Sequence, residues 1–218
     1  MPELVPAILT NDVSDFRKKH ADLLALGQYF SKLHIDFIDG EFLPNKTVMP
    51  ADLGFFQSPF KLMAHFMAYR PEKYFDTILR IGFSWALVHM EAFDSPDHAL
   101  EVIREGSDKG LSMGLAINPE TPLHHAAKLI TKVGVVQLMG VHPGAQGRAF
   151  EPNTLEKIKE LKSLTRNVII AVDGGMKLGL AGKCADAGAD LIIIGSAILH
   201  ASHPKEALEA FKRELELI

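Results

Sequence analysis

The stretch "KLHIDFIDGEFLPN", residues 32–45, opens as a β-strand with two unlike faces. Successive side chains of a strand point to opposite sides, so Leu33, Ile35 and Phe37 share one face and His34 and Asp36 the other. The apolar face expects a covering layer of helices. The polar face poses a problem, because a buried carboxylate is costly unless it is paired, hydrogen-bonded or bound to a metal. Either this face is wet, or its two residues are there for chemistry.

Outward from this strand the same kind of unit recurs along the chain. Short apolar runs predict strands at 4–9 (LVPAIL), 32–37 (KLHIDF), 61–66 (KLMAHF), 85–90 (WALVHM), 112–117 (SMGLAI), 135–139 (VVQLM), 167–172 (NVIIAV) and 190–195 (DLIIIG). Helical patterns lie between and after them, such as 13–26, 95–109, 152–164 and 204–218. Pro71, Pro152 and Pro204 stand near helix starts, where a missing amide proton does no harm. Strand–helix alternation of this kind fits a (β/α)8 barrel or a doubly wound open sheet. The count of eight units in 218 residues and their even spacing favour the α/β barrel. No linker or shift in composition divides residues 1–218, which predicts one domain.

The composition is that of a globular protein, 47% hydrophobic and 23% charged. A net charge of −4 lacks the basic face expected of a nucleic-acid binder. The N-terminal "MPELVPAILTND" has no basic segment ahead of a long apolar core, and no run of about 18 apolar residues occurs. A cytoplasmic protein with neither membrane nor nucleic-acid partners is the expectation. The lone Cys184, in the apolar helical pattern "GLAGKCADAGAD", reads as packing.

Enzymes on this fold place their chemistry at the C-terminal ends of the strands. The polar residues there are His34, Asp36, His65, His89, Asn118 and Asp173. Two imidazoles and two carboxylates, His34, Asp36, His65 and Asp173, suit a divalent ion such as Zn²⁺, Mn²⁺ or Fe²⁺ if they converge. The turns "VDGGMK" (172–177) and "IIIGSAI" (192–198) follow the seventh and eighth strands, where barrels commonly hold a phosphate on backbone amides. "HPGAQGR" (142–148) is a third glycine-bearing loop that can close on the same group. Met67 and Met139 suit an apolar wall around a reacting centre.

These residues and motifs resemble the ribulose-phosphate 3-epimerase family. Its carriers are "PAILTND", "HIDFIDGEFLPN", "HFMAYRPEKY", "INPETPL", "MGVHPGAQGRAFEPNTLEKI" and "CADAGADLIIIGSAI", in order along most of the chain. The resemblance implies a TIM barrel of the ribulose-phosphate-binding type and an isomerase that inverts C3 of a ketose phosphate, interconverting D-ribulose 5-phosphate and D-xylulose 5-phosphate. It further implies one divalent metal ion (Zn, Fe, Mn or Co) held by His34, Asp36, His65 and Asp173. Asp36 and Asp173 would be the acid and base on opposite faces of the substrate, from strands across the barrel. His65 would also touch substrate. Gly174, Gly175, Gly195 and Ser196 would hold the phosphate, helped by Gly144, Ala145, Gln146 and Gly147, with Ala7, Met67 and Met139 as the pocket wall. A homo-oligomer, dimer or hexamer, is the implied assembly.

The sequence departs from the family's pattern around that core. Ala7 stands where serine is usual, Ile38 where methionine is usual, and Met63 where an acidic residue is common, which would leave His65 without a supporting carboxylate. Ala145, Gln146 and Arg148 replace an aromatic residue, glycine and glutamine. Another sugar, such as D-allulose 6-phosphate, is therefore a second reading, and a non-catalytic phosphosugar-binding barrel a third. A decarboxylase or synthase of the related barrels would need an Asp-x-Lys-x-x-Asp strand, and "HIDFID" has no lysine. His89, Asn118 and His142 are further pocket candidates without an assigned role.

Overall fold

The computed structural model describes residues 1–144 and 149–216. Eight parallel strands close into a barrel in sequence order. They are β1 (Glu3–Ile8), β2 (Lys32–Ile38), β3 (Lys61–Met67), β4 (Phe83–His89), β5 (Ser112–Ile117), β6 (Val135–Met139), β7 (Ile169–Asp173) and β8 (Leu191–Ile194). β5 and β6 have the expected bounds, β2 and β3 run one residue further, and β1, β4, β7 and β8 shift by one or two residues at both ends. Around them run α1 (Val13–Leu24), α2 (Pro50–Leu53), α3 (Phe75–Ile81), α4 (Pro96–Asp108), α5 (Ala127–Ile130), α6 (Asn153–Leu164), α7 (Leu180–Ala187), α8 (Ser196–Leu199) and α9 (Pro204–Glu216). None of the described helices is long and apolar enough to cross a membrane.

Local chemistry sets the helix ends. Asp12 caps α1 by accepting the Asp15 N–H at 2.7 Å, and Ser95 caps α4 by accepting from His98 N–H at 3.2 Å, with Pro96 in the first helical position. Pro204 opens α9, and Pro71 opens a 3₁₀ turn leading into α3 rather than the helix itself. Between β2 and α2 no long helix forms. The loop there folds on itself through a bridge between Asp39 and Lys46.

The period-2 pattern of the strands sorts two cores. Outward residues such as Leu33, Ile35, Phe37, Phe66, Val136 and Leu138 pack with the helices in one cluster. Inward residues Val5, Ala7, Met63, Leu87, Val135, Ala171, Leu191 and Ile193 form a second, with Trp85 and Ile169 packed against it. Cys184 is fully buried on α7, and burial together with Glu214 pushes its thiol up to about 12. It stays protonated and acts as a small apolar residue.

Lys157 of α6 is a buried cation turned to structural use. Its Nζ donates to the carbonyls of Asn118 and Thr121, each at 2.7 Å, and of Pro119 at 3.3 Å, pinning the loop after β5. Burial lowers its pKa, with Glu91 and Glu120 opposing. Lys157→Met keeps the apolar stem but leaves buried carbonyls without a donor, an expected loss of about 3 kcal/mol. Urea unfolding measures it, and an unchanged midpoint would refute the assignment.

Candidate active site

The inward face changes character towards the C-terminal ends of the strands. Below are apolar residues of the inner cluster such as Val5, Val135 and Leu191, and above them lie His34, Asp36, His65, His89, Gln137 and Asp173. His34, His65, His89 and Gln137 are fully buried, and Asp36 is 6% exposed. One ligand atom each from His34, Asp36, His65 and Asp173 falls within 4.8 Å of all the others. The four residues singled out, two from β2 and one each from β3 and β7, thus meet at one place. β7 stands three places from β2 through β8 and β1, so Asp173 approaches from one place short of the diametric strand.

Hydrogen bonds decide which nitrogen of each imidazole carries the proton. Glu91 accepts from Asn118 N–H at 2.8 Å and the Thr121 hydroxyl at 2.6 Å, and its other oxygen lies 3.2 Å from His89 Nδ1. A carboxylate only accepts, so His89 Nδ1 donates and its Nε2 is a bare lone pair. With His89 neutral, His65 Nε2, 2.9 Å from that lone pair, donates to it. His65 Nδ1 is left unprotonated, 2.8 Å from Asp36 Oδ1 and 3.6 Å from Asp173 Oδ2. A lone pair facing two carboxylates suits a cation between them.

His34 is set from the other side. Its Nε2 lies 3.1 Å from Gln137 Oε1, so Nε2 donates and Nδ1 is bare. Nδ1 sits 3.6 Å from Asp36 Oδ1 and is a buried polar atom without a hydrogen-bond partner. An orphaned lone pair beside a carboxylate is costly by itself and is satisfied by a divalent ion. The donor set of two neutral imidazoles and two carboxylates fits zinc, iron, manganese or cobalt alike.

The electrostatics agree with that donor chemistry. Burial holds the His34 imidazole down at about 4 and holds His65 well below its ordinary range, so both rings stay neutral. Burial raises Asp36, and burial together with the charge of Asp36 raises Asp173 further. Burial also pushes Glu91 up, but the hydrogen bond from His89 leads the contributions that outweigh it, with Thr121 and Asn118 assisting, and Glu91 stays ionised.

A pocket opens above this floor. Asp36 and Asp173 line it, with Ala7, Met67 and Met139 on the wall and Gly144, Gly174, Gly175, Gly195 and Ser196 at the rim. His34 and His65 are fully buried and are not among the side chains that line this pocket. Gly174 and Gly175 have φ of 100° and 72°, and a Cβ on Gly174 would meet Val141 Cγ2 at 2.5 Å. Only glycine permits this turn. Ala145, Gln146, Gly147 and Arg148 lie outside the described residues.

Other candidates separate. His89 stands behind His65, and Asn118 is buried with its Oδ1 unpartnered. His142 is exposed and pairs with Glu120 at 3.2 Å. Ile38 is fully buried beside Met67 in register. Met63 does not deprive His65 of support, because His65 leans on His89; Met63 is the register partner of His34. Glu91 and Gln137 escaped the sequence reading. The signal for Gln137 was a lone amide inside "VVQLM", and for Glu91 a carboxylate two residues after a strand-end histidine.

Comparison with known proteins adds an independent line. The profile of the ribulose-phosphate 3 epimerase family matches residues 3–199. The ribulose-phosphate 3-epimerase of Schizosaccharomyces pombe is 29% identical, over 98% of this chain and 93% of that protein. That of Escherichia coli K12 is 31% identical, over 97% and 95% respectively. Among solved structures, a Pyrococcus furiosus tryptophan synthase complex has a chain superposing with a TM-score of 0.69 at 18% identity, covering 99% of this chain and 98% of that one. That last likeness is one of fold.

Adding Zn²⁺ or Mn²⁺ to metal-free protein should raise its Tm and expel protons. The ion draws protons off the raised carboxyls, of which at least one must be ionised to bind it, so affinity rises with pH and falls as the carboxyls protonate. Calorimetry in two buffers of different ionisation enthalpy reads the released protons. Binding with no proton release in mildly acidic buffer would contradict the ligand set.

Proposed function

Since the chain belongs to the ribulose-phosphate 3 epimerase family, we propose that it is an epimerase inverting C3 of a ketose phosphate, interconverting D-ribulose 5-phosphate and D-xylulose 5-phosphate. The observation that carries this reading is the pair Asp36 and Asp173, two buried carboxyls from different strands at the floor of one pocket. Inversion of a carbon requires a proton to leave one face and another to arrive on the opposite face. Two carboxyls on separate walls meet that requirement.

Their electrostatics suit the task. Two buried carboxyls this close cannot both ionise easily, so one holds a proton while the other is free to take one. In the forward direction the ionised aspartate takes the C3 proton, and the electron pair moves onto the carbonyl oxygen to give an enediolate. The protonated aspartate then delivers its proton to the opposite face of C3. The pair ends with its protonation states exchanged, ready for the reverse reaction. A divalent ion held by His34, Asp36, His65 and Asp173 would supply positive charge to the carbonyl oxygen as the enediolate develops.

The rest of the pocket fits the substrate. The turns at Gly174–Gly175 and Gly195–Ser196 bring backbone to the rim on the β7 and β8 side, where barrels commonly receive a phosphate. Met67 and Met139 offer apolar surface that keeps bulk water from the reacting carbon. Ala7 places a methyl group, not a hydroxyl, on that wall, and this favours comparing a second sugar, D-allulose 6-phosphate. The two aspartates weigh against a barrel that only binds.

Incubation with D-ribulose 5-phosphate in D₂O, followed by NMR, should show deuterium at C3 and formation of the xylulose epimer. No exchange with either sugar in metal-replete protein would sink the reading. Asp36→Asn and Asp173→Asn should each lower epimerisation by roughly 10²–10⁴-fold. Near-normal turnover in either variant would overturn the two-aspartate scheme.

A further inference from the structure

We propose that Gln137 is a positioning residue for the ion site, tying His34 and Asp173 together from the far wall of the barrel. This rests on reading the four converging side chains as ligands of a divalent ion. Gln137 sits mid-way along β6, fully buried, with its neighbours Val136 and Leu138 turned to the helices. An amide in such a place is costly unless its polar atoms find partners.

Its partners are the ligand residues themselves. Oε1 accepts from His34 Nε2 at 3.1 Å, and Nε2 donates to Asp173 Oδ2 at 3.2 Å. Nε2 also lies 3.3 Å from His65 Nε2 and 3.5 Å from Met139 Sδ. Only one orientation of the amide works, because the reverse would set its oxygen against the Asp173 carboxylate. That orientation fixes the proton of His34 on Nε2 and bares Nδ1, the orphaned atom of the site. One side chain thus selects the tautomer of an imidazole on β2 and holds a carboxylate on β7.

Among the described residues no other does this for His34. Its neighbour in register on β3 is Met63, which offers no oxygen. The support comes instead from β6, and it comes as a neutral group. With two carboxylates already balancing a divalent charge, an amide orients the ligands without adding a third negative charge.

The test uses metal-free full-length protein titrated with Zn²⁺ against a chromophoric chelator. Q137M fills the space without the polar atoms. We expect it to weaken Zn²⁺ binding about 10–100-fold, with no fall in the unfolding midpoint of the metal-free protein. The visible spectrum of the Co²⁺ complex should also shift, since the His34 ring is no longer held. Q137N keeps an amide but withdraws it by one methylene, and covers the case of Q137M failing to fold; at least a tenfold weakening is expected there too. Adding M63D to Q137M should recover part of the loss by returning an oxygen beside His34. If wild-type protein binds Zn²⁺ and the variant that folds binds within threefold as tightly, this inference alone fails. If wild-type protein binds no divalent ion, both it and the ion-site reading fail.

Discussion

Two carboxyl groups buried side by side with two neutral imidazoles are the constraint on which the site depends. Asp36 is nearly inaccessible, Asp173 little less so, and each makes ionisation of the other harder. A fold stores such a group only where the surroundings compensate. Here the compensation is arranged by the barrel itself, which brings inward side chains from β2, β3 and β7 to one height. The apolar inner cluster beneath them excludes water and fixes their level.

Around that centre two hydrogen-bond chains run in opposite directions. One leads outward from His65 through His89 to Glu91, and on to the loop that Lys157 pins. The other leads from His34 through Gln137 to Asp173. Both leave an unprotonated Nδ1 facing the carboxyls. Ligand imidazoles commonly donate their second N–H to a neighbouring acceptor, which fixes ring and tautomer together. The two rings reach this end by different means, an imidazole relay ending in a carboxylate and a direct amide.

The architecture and the four converging residues were legible because both follow from the period of two. Alternation in "KLHIDF" separated Leu33, Ile35 and Phe37 from His34 and Asp36, and they do face different cores. Strand ends were less legible, since β4 begins at Phe83, ahead of the tryptophan that seemed to open it. Gln137 was hidden by its setting: in a five-residue apolar strand, parity does not tell which face looks into the barrel. Glu91 belongs to a turn beyond β4, and its role depends on a loop 27 residues further along the chain. Such pairings come from closure of the barrel and leave no mark in local sequence.

The bridge between Asp39 and Lys46 has a mechanical corollary. Asp39 also accepts from Glu41 N–H at 2.8 Å and, across to the next loop, from Tyr69 N–H at 2.9 Å. Phe42 lies between Tyr69 and His89, and Gly144 nestles so closely against Leu43 and Asn45 that a methyl there would stand 3.2 Å from each. The loops and ends of β2, β3, β4 and β6 are therefore in contact with one another on this side of the barrel. One carboxylate, that of Asp39, ties the loop after β2 to the loop after β3, so a displacement of either would be passed to the other.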